Sequence, residues 1–142
     1  MLIIMKHLPS KKEQADDGKK WLKTLQTVIL RHAHNNEVSV EDIAESMEMK
    51  RRSFERKLKK LTGKSPKQYL NEFRLKLAHR LITHKKYTNV QKVCFEVGFE
   101  GRDHFSRIFK KRFGYSPFAL IKIVKARDEN NEQNDDIMTL TK

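Results

Sequence analysis

The chain is 142 residues long, room for one domain or two very small ones and too short for a large multi-domain enzyme. Its 31 Lys and Arg against 18 Asp and Glu leave a net charge of +13, which points to a polyanionic partner, either nucleic acid or an anionic membrane surface. Five Gly and three Pro are too few for a frequently turning sandwich or barrel, no apolar run approaches a membrane span, and a lone cysteine, Cys94, excludes an intramolecular disulfide and fits a reducing, cytoplasmic address.

Residues 1–18 are charge-balanced and carry no sustained period, which predicts a flexible N-terminal arm. A first helix is predicted over 19–34, where Leu22, Leu25, Ile29 and Ala33, flanked by Trp21 and Val28, form one apolar stripe. A short helix opens at Ser39, whose spacing to Asp42 is that of a capping box. A second, Lys/Arg-rich helix ends at Gly63, suited to the left-handed position after a helix. Ser65-Pro66 then launches a long helix to about Ile82, with Tyr69, Leu70, Phe73, Leu77, Leu81 and Ile82 predicted inward. The pattern recurs: a short helix from Thr88 or Asn89, a basic helix stopped by Gly114, and Ser116-Pro117 starting a last helix with Phe118, Leu120, Ile121 and Val124 inward. Residues 128–142 read as a disordered acidic tail.

That recurrence is an internal repeat. The stretch 54–66, FERKLKKLTGKSP, aligns with 105–117, FSRIFKKRFGYSP, at an offset of 51. Upstream, Val40, Ile43, Ala44 and Met47 match Val90, Val93, Cys94 and Val97 at an offset of 50, so a one-residue slip falls between the blocks where a turn absorbs it. Strand signal is nearly absent, and the fold class expected is all-α.

Two short helices around a tight turn, the second rich in Arg and Lys, is the layout of a helix-turn-helix for the DNA major groove. Lys50–Lys64 holds eight basic residues and one acid, and Arg102–Arg112 holds five and one. Taken alone, such a run is more often a solvated helix face; its duplication in a matching scaffold reverses that weighting. If Phe54, Leu58 and Leu61 face inward, Arg51, Arg52, Glu55 and Arg56 lie outward or at the edge. If Phe105, Phe109 and Phe113 face inward, Arg102, Asp103, His104 and Arg107 are available. Arg bonds a guanine edge bidentately and an acid accepts from cytosine N4. Lys59, Lys60, Lys64, Lys110, Lys111 and Arg112 are expected to meet phosphates. A helix over 66–82, roughly 25 Å long at 1.5 Å per residue, is expected to hold the two basic helices about 34 Å apart, one turn of B-DNA.

VSVEDIAESMEMKRRSFERKLKKLTGKSPKQYLNEFRLKLAHRLI, followed by VCFEVGFEGRDHFSRIFKKRFGYSP, resembles the AraC/XylS-type DNA-binding domain over about residues 20–121. Gly98-Phe99, Phe105-Ser106-Arg107, Phe109-Lys110-Lys111 and Gly114-x-Ser116-Pro117 are the specific part. The resemblance implies a seven-helix module of two helix-turn-helix subdomains joined by a long linker helix, spanning 19–127. Its first unit then covers about 38–63, its linker helix about 66–82 and its second unit about 89–114. It implies a bacterial, sequence-specific transcription regulator, most often an activator, with double-stranded DNA and RNA polymerase as partners. It places base reading on Arg52, Glu55, Arg56, Arg102, Asp103, His104 and Arg107. Lys50 stands where Ser commonly opens the first reading helix, Cys94 where Ala is usual, and Leu120-Ile121 where a Tyr-Arg pair is expected. Nothing in 1–18 supplies the sensor or dimerisation domain that many members carry, so the expectation is a stand-alone regulator or an excerpt of a longer protein.

Other readings carry less. No Gly-rich phosphate loop, cysteine cluster or partnered nucleophile supports an enzyme or a cofactor. His32 and His34, two apart on a helix, cannot face one metal together. Exposed aromatics for RNA stacking are few. Cys94 falls on an inward position as a small core residue, and Gly98 suits a turn needing a positive φ. The competing function is a nonspecific architectural DNA-binding protein driven by charge alone.

Overall fold

The computed structural model describes residues 10–33, 35–85 and 87–140, with side chains as far as residue 134. Those residues form seven α-helices and no strand: α1 (Lys11–Arg31), α2 (Val40–Ser46), α3 (Arg51–Thr62), α4 (Pro66–Thr83), α5 (Val90–Glu96), α6 (Arg102–Phe113) and α7 (Pro117–Leu140). They fall into two compact units. The first is built from the chain up to His32 and from Val38–Lys67, the second from Ala33–Glu37 and from Gln68 onward. α4 carries the chain from one to the other.

α1 starts eight residues before the predicted Lys19, and this corrects the reading of 11–18 as an arm; residues 1–9 lie outside the described residues. The cause is a capping box. Ser10 Oγ accepts the N–H of Glu13 at 3.2 Å, and the Glu13 carboxylate accepts the N–H of Ser10 at 3.1 Å. Further along, Leu25, Val28 and Ile29 are buried, as are Ile43 and Ala44 of α2 and Phe54 and Leu58 of α3. Trp21 is half-buried, its ring tilted 5.7 Å from Phe54. Leu61, expected inward, is 37% exposed. It lies against Gly18 of α1, where a Cβ would come within 2.9 Å of Leu61 Cδ2, so the absence of a side chain at Gly18 lets the two helices approach.

The core of the second unit runs from Leu75, Ala78 and Ile82 of α4 through Val90, Val93, Cys94, Val97 and Phe99 to Phe105, Phe109, Leu120, Ile121 and Val124. On α4 this differs from expectation. Of the predicted inward residues only Ile82 is fully buried, whereas Tyr69, Leu70, Phe73, Leu77 and Leu81 are half-buried. The helix carries apolar residues on several sides, and periodicity alone cannot choose the line Leu75, Ala78, Ile82. Phe113 is likewise only half-buried, packing on that core with Tyr115. On α7 the Leu120-Ile121 pair is buried as predicted, but Phe118 is 56% exposed, with the Lys122 ammonium 4.7 Å above its ring. The tail from 128 is helical as far as Leu140 and not disordered. No Gly or Pro follows Pro117 to stop the helix.

The repeat is visible in the backbone. In the first unit Met47 donates to the Ile43 carbonyl, Glu48 to Glu45 and Met49 to Ala44. In the second, Val97 donates to Val93, Gly98 to Phe95 and Phe99 to Cys94. Glu48 and Gly98 are equivalent, both left-handed, with φ +56° and +86°. The one-residue slip lies just after these turns: Lys50 caps α3 and Gly101 caps α6, neither with a side-chain hydrogen bond.

Candidate nucleic-acid interface

Each basic helix is held by its apolar side and presents its charged side outward. α3 buries Phe54 and Leu58, four residues apart, and α6 buries Phe105 and Phe109 with the same spacing. The short helices before them are fixed at their starts. Ser39 Oγ accepts the N–H of Asp42 at 3.1 Å, and Asp42 Oδ2 accepts the N–H of Ser39 at 2.9 Å. This contact holds the Asp42 carboxyl below its usual pKa. Asn89 caps α5 by accepting the N–H of Lys92 at 3.1 Å. Gly63 and Gly114 end the basic helices at φ +74° and +85°.

On α3, Arg52, Arg56, Lys59 and Lys60 are exposed, and no ion pair holds them among the described residues. Arg52, Glu55, Arg56 and Lys59 line a shallow depression with Ser65 and Pro66 at the start of α4. Lys64 is half-buried. Arg51 differs: it is paired with Glu41 of α2 and with Glu55 one turn along, its Nε 2.9 Å from Glu55 Oε1. The two carboxylates raise its pKa, Glu55 foremost. Glu41 in turn is held below the usual carboxylate range by its backbone hydrogen bond and by Arg51. Arg51 thus clamps the start of α3 to α2, a role that spacing alone does not show.

On α6, Arg102, Asp103, His104 and Arg107 are exposed. The His104 ring meets Phe99 edge-on with centroids 6.5 Å apart. Lys110 and Lys111 are exposed, whereas Arg112 is engaged: its Nε donates to both oxygens of Glu72 on α4, at 2.7 and 2.9 Å. Its guanidinium lies 5.0 Å over the Phe113 ring. Glu72 is only 18% exposed, so the pair fastens the last turn of α6 to α4 inside the second unit. The outward faces of the two basic helices therefore carry exposed arginines at matching places, Arg56 and Arg107, and differ around them.

A family model described as a helix-turn-helix domain matches residues 43–122, more than half of the chain. The chain belongs to the AraC/XylS-type helix-turn-helix family. Among known relatives, the transcriptional activator RhaS of Salmonella arizonae is 33% identical over 116 residues, covering 82% of this chain and 41% of that protein. RhaS of Escherichia fergusonii is 40% identical over 80 residues, covering 56% and 28%. The chain thus spans less than half the length of these relatives. The DNA-binding domain of AdpA, solved with a target DNA, superposes with a TM-score of 0.62 at 33% identity, covering 73% of this chain and 95% of that one. An AraC-type regulator from Chromobacterium violaceum superposes at 0.65 with 23% identity, over 75% and 94%, which speaks for the fold alone.

The AraC-type module is a DNA-binding domain of transcription regulators, not an enzyme family. No helix among the described residues is long and apolar enough to cross a membrane. Spacing also passed over Lys57, which points its ammonium over Trp21 at 5.1 Å, and Lys11 at the unexpected start of α1.

Proposed function

We propose that this chain is a sequence-specific, cytoplasmic DNA-binding regulator whose α3 and α6 each read a segment of major groove on one duplex. What carries the reading is an exposed arginine at the same place on two matching helices, Arg56 on α3 and Arg107 on α6, with Arg52 and Arg102 exposed nearby on the same helices. These side chains have the fork geometry for guanine edges. Asp103 and Glu55 accept from cytosine N4, and His104 completes the second reading set. Arg51 sets the start of α3 and orients Glu55. Lys59, Lys60, Lys64, Lys110 and Lys111 take phosphates, while Arg112 anchors α6 through Glu72. The AdpA domain's complex with a target DNA supports the same use of this fold. The output is activation, as in the name that the RhaS relatives carry, with RNA polymerase as the further partner.

Selection of bound sequences from a random duplex library tests this. The expected product is a two-part motif, bound about 10³-fold or more tighter than random DNA at physiological salt. Equal displacement by any duplex refutes the reading and favours an architectural, charge-driven protein.

A further inference from the structure

We propose that the first two turns of α1 form an additional contact to the phosphate backbone, extending the footprint of the first unit beyond the base pairs that α3 reads. The proposal rests on the DNA-binding function proposed above. Between Lys11 and Lys20 only Gly18 is buried, so this stretch of helix adds almost nothing to the core. It is nevertheless fixed, by the Ser10–Glu13 capping box at its start and by the seat of Leu61 on Gly18.

That docking creates a groove of about 760 Å³ between α1 and α3. Its rim carries Lys11 from α1 and Arg56, Lys57 and Lys60 from α3, against one carboxylate, Asp17. On α3, residues 53, 56, 57 and 60 share one face at spacings of three and four. Arg56 belongs to both surfaces: it borders this groove and also the depression lined by Arg52, Glu55 and Lys59. A strand backbone running along the outer side of α3 therefore passes from the reading face onto the groove without leaving positive charge. The apolar walls, Ala15, Met49 and Leu61, suit the sugars between phosphates. Duplex DNA is the occupant that this continuity selects over a free organic anion, which would not need the groove to open onto the reading face.

The test uses the full chain and two duplexes, one carrying the selected site within long flanks and one trimmed to the site. On the long duplex, Lys11→Ala is expected to lower the slope of log affinity against log salt by about 0.9, one phosphate's worth, with base preference unchanged. Asp17→Asn is expected to tighten binding to the same duplex. On the trimmed duplex both variants are expected to match the parent. Lys11 is exposed at the first helical position, and thermal melting checks that each variant folds. Unchanged affinity and slope for Lys11→Ala on the long duplex, with the parent still site-selective, overturns this inference and leaves the proposed function standing. Loss of affinity by Lys11→Ala equal on both duplexes also overturns it, since the contact then lies within the site. A parent with no duplex preference refutes the underlying function instead.

Discussion

Gly98 and Gly114 offer a matched pair for separating backbone strain from steric exclusion. Both belong to the second unit and both have left-handed backbones, with φ +86° and +85°. An alanine at either place bears the left-handed penalty of about 1–2 kcal/mol, offset by about 0.4–1 kcal/mol from a less flexible unfolded chain. Gly114→Ala is therefore expected to cost about 1 kcal/mol, because nothing lies within 4 Å of its new Cβ. Gly98→Ala meets the Ala33 carbonyl oxygen at 2.5 Å and Arg74 Nε at 3.3 Å. The first is backbone and cannot swing aside, and Arg74 Nε is itself buried without a partner among the described residues. Overpacking of that kind adds about 1–3 kcal/mol, for a total of about 2–4 kcal/mol. Urea titrations followed by far-UV circular dichroism give both values. Trp21, the only tryptophan and a residue of the first unit, reports by fluorescence whether the loss stays local. If the two substitutions cost the same within about 0.5 kcal/mol, the close approach at Gly98 has no energetic weight and the reasoning fails.

The equivalent turn of the first unit gives the converse experiment: Glu48 is left-handed at φ +56° without being glycine, so Glu48→Gly is expected to stabilise by about 0.5–1 kcal/mol, read as a higher urea midpoint. His79 packs among Phe109, Phe113 and Tyr115, its Nε2 2.8 Å from the Tyr115 hydroxyl, and burial, then the charge of His84, lowers its pKa below the ordinary 6.5. The folded state therefore favours the neutral ring: the stability it confers is full above pH 6.5 and is lost as pH falls through the lowered value. Urea midpoints at pH 7.5 and 5.5 are expected to drop for the parent and to drop less for His79→Gln. On DNA, Arg56→Ala or Arg107→Ala is expected to cost about 1–3 kcal/mol on the selected site and to relax preference at a base pair. Lys60→Ala is expected to weaken all duplexes alike and flatten the salt slope by about one. Unchanged preference for Arg107→Ala removes α6 as a reading helix.

The helix-turn-helix elements were legible because their signals are local and duplicated. Ser39 with Asp42, Gly63 and Gly114, and the two Ser-Pro pairs each mark an element boundary by a few atoms' chemistry. The start of α1 was equally legible, since Ser10 and Glu13 have capping-box spacing, but residues 11–18 carry no apolar period; the role of Gly18 as the floor beneath Leu61 depends on a helix distant in sequence. The reach of α7 was hidden by its acidic composition, while the absence of any Gly or Pro after Pro117 was the better guide. For the interface, periodicity could sort inward from outward positions but could not see tertiary pairing. Arg51 and Arg112 look like their neighbours in sequence. Only the fold brings Glu41 beside one and Glu72 beside the other.

The turn at Glu48 and Gly98 also bears on how the two copies can change. The two repeats make the same corner, each with a backbone that most residues resist. In the second copy the Ala33 carbonyl leaves room for glycine alone, so that corner is closed to drift. In the first copy a charged residue tolerates the same bend, and variation there remains open. The first repeat can therefore accept substitution at its corner, whereas the second holds a fixed geometry.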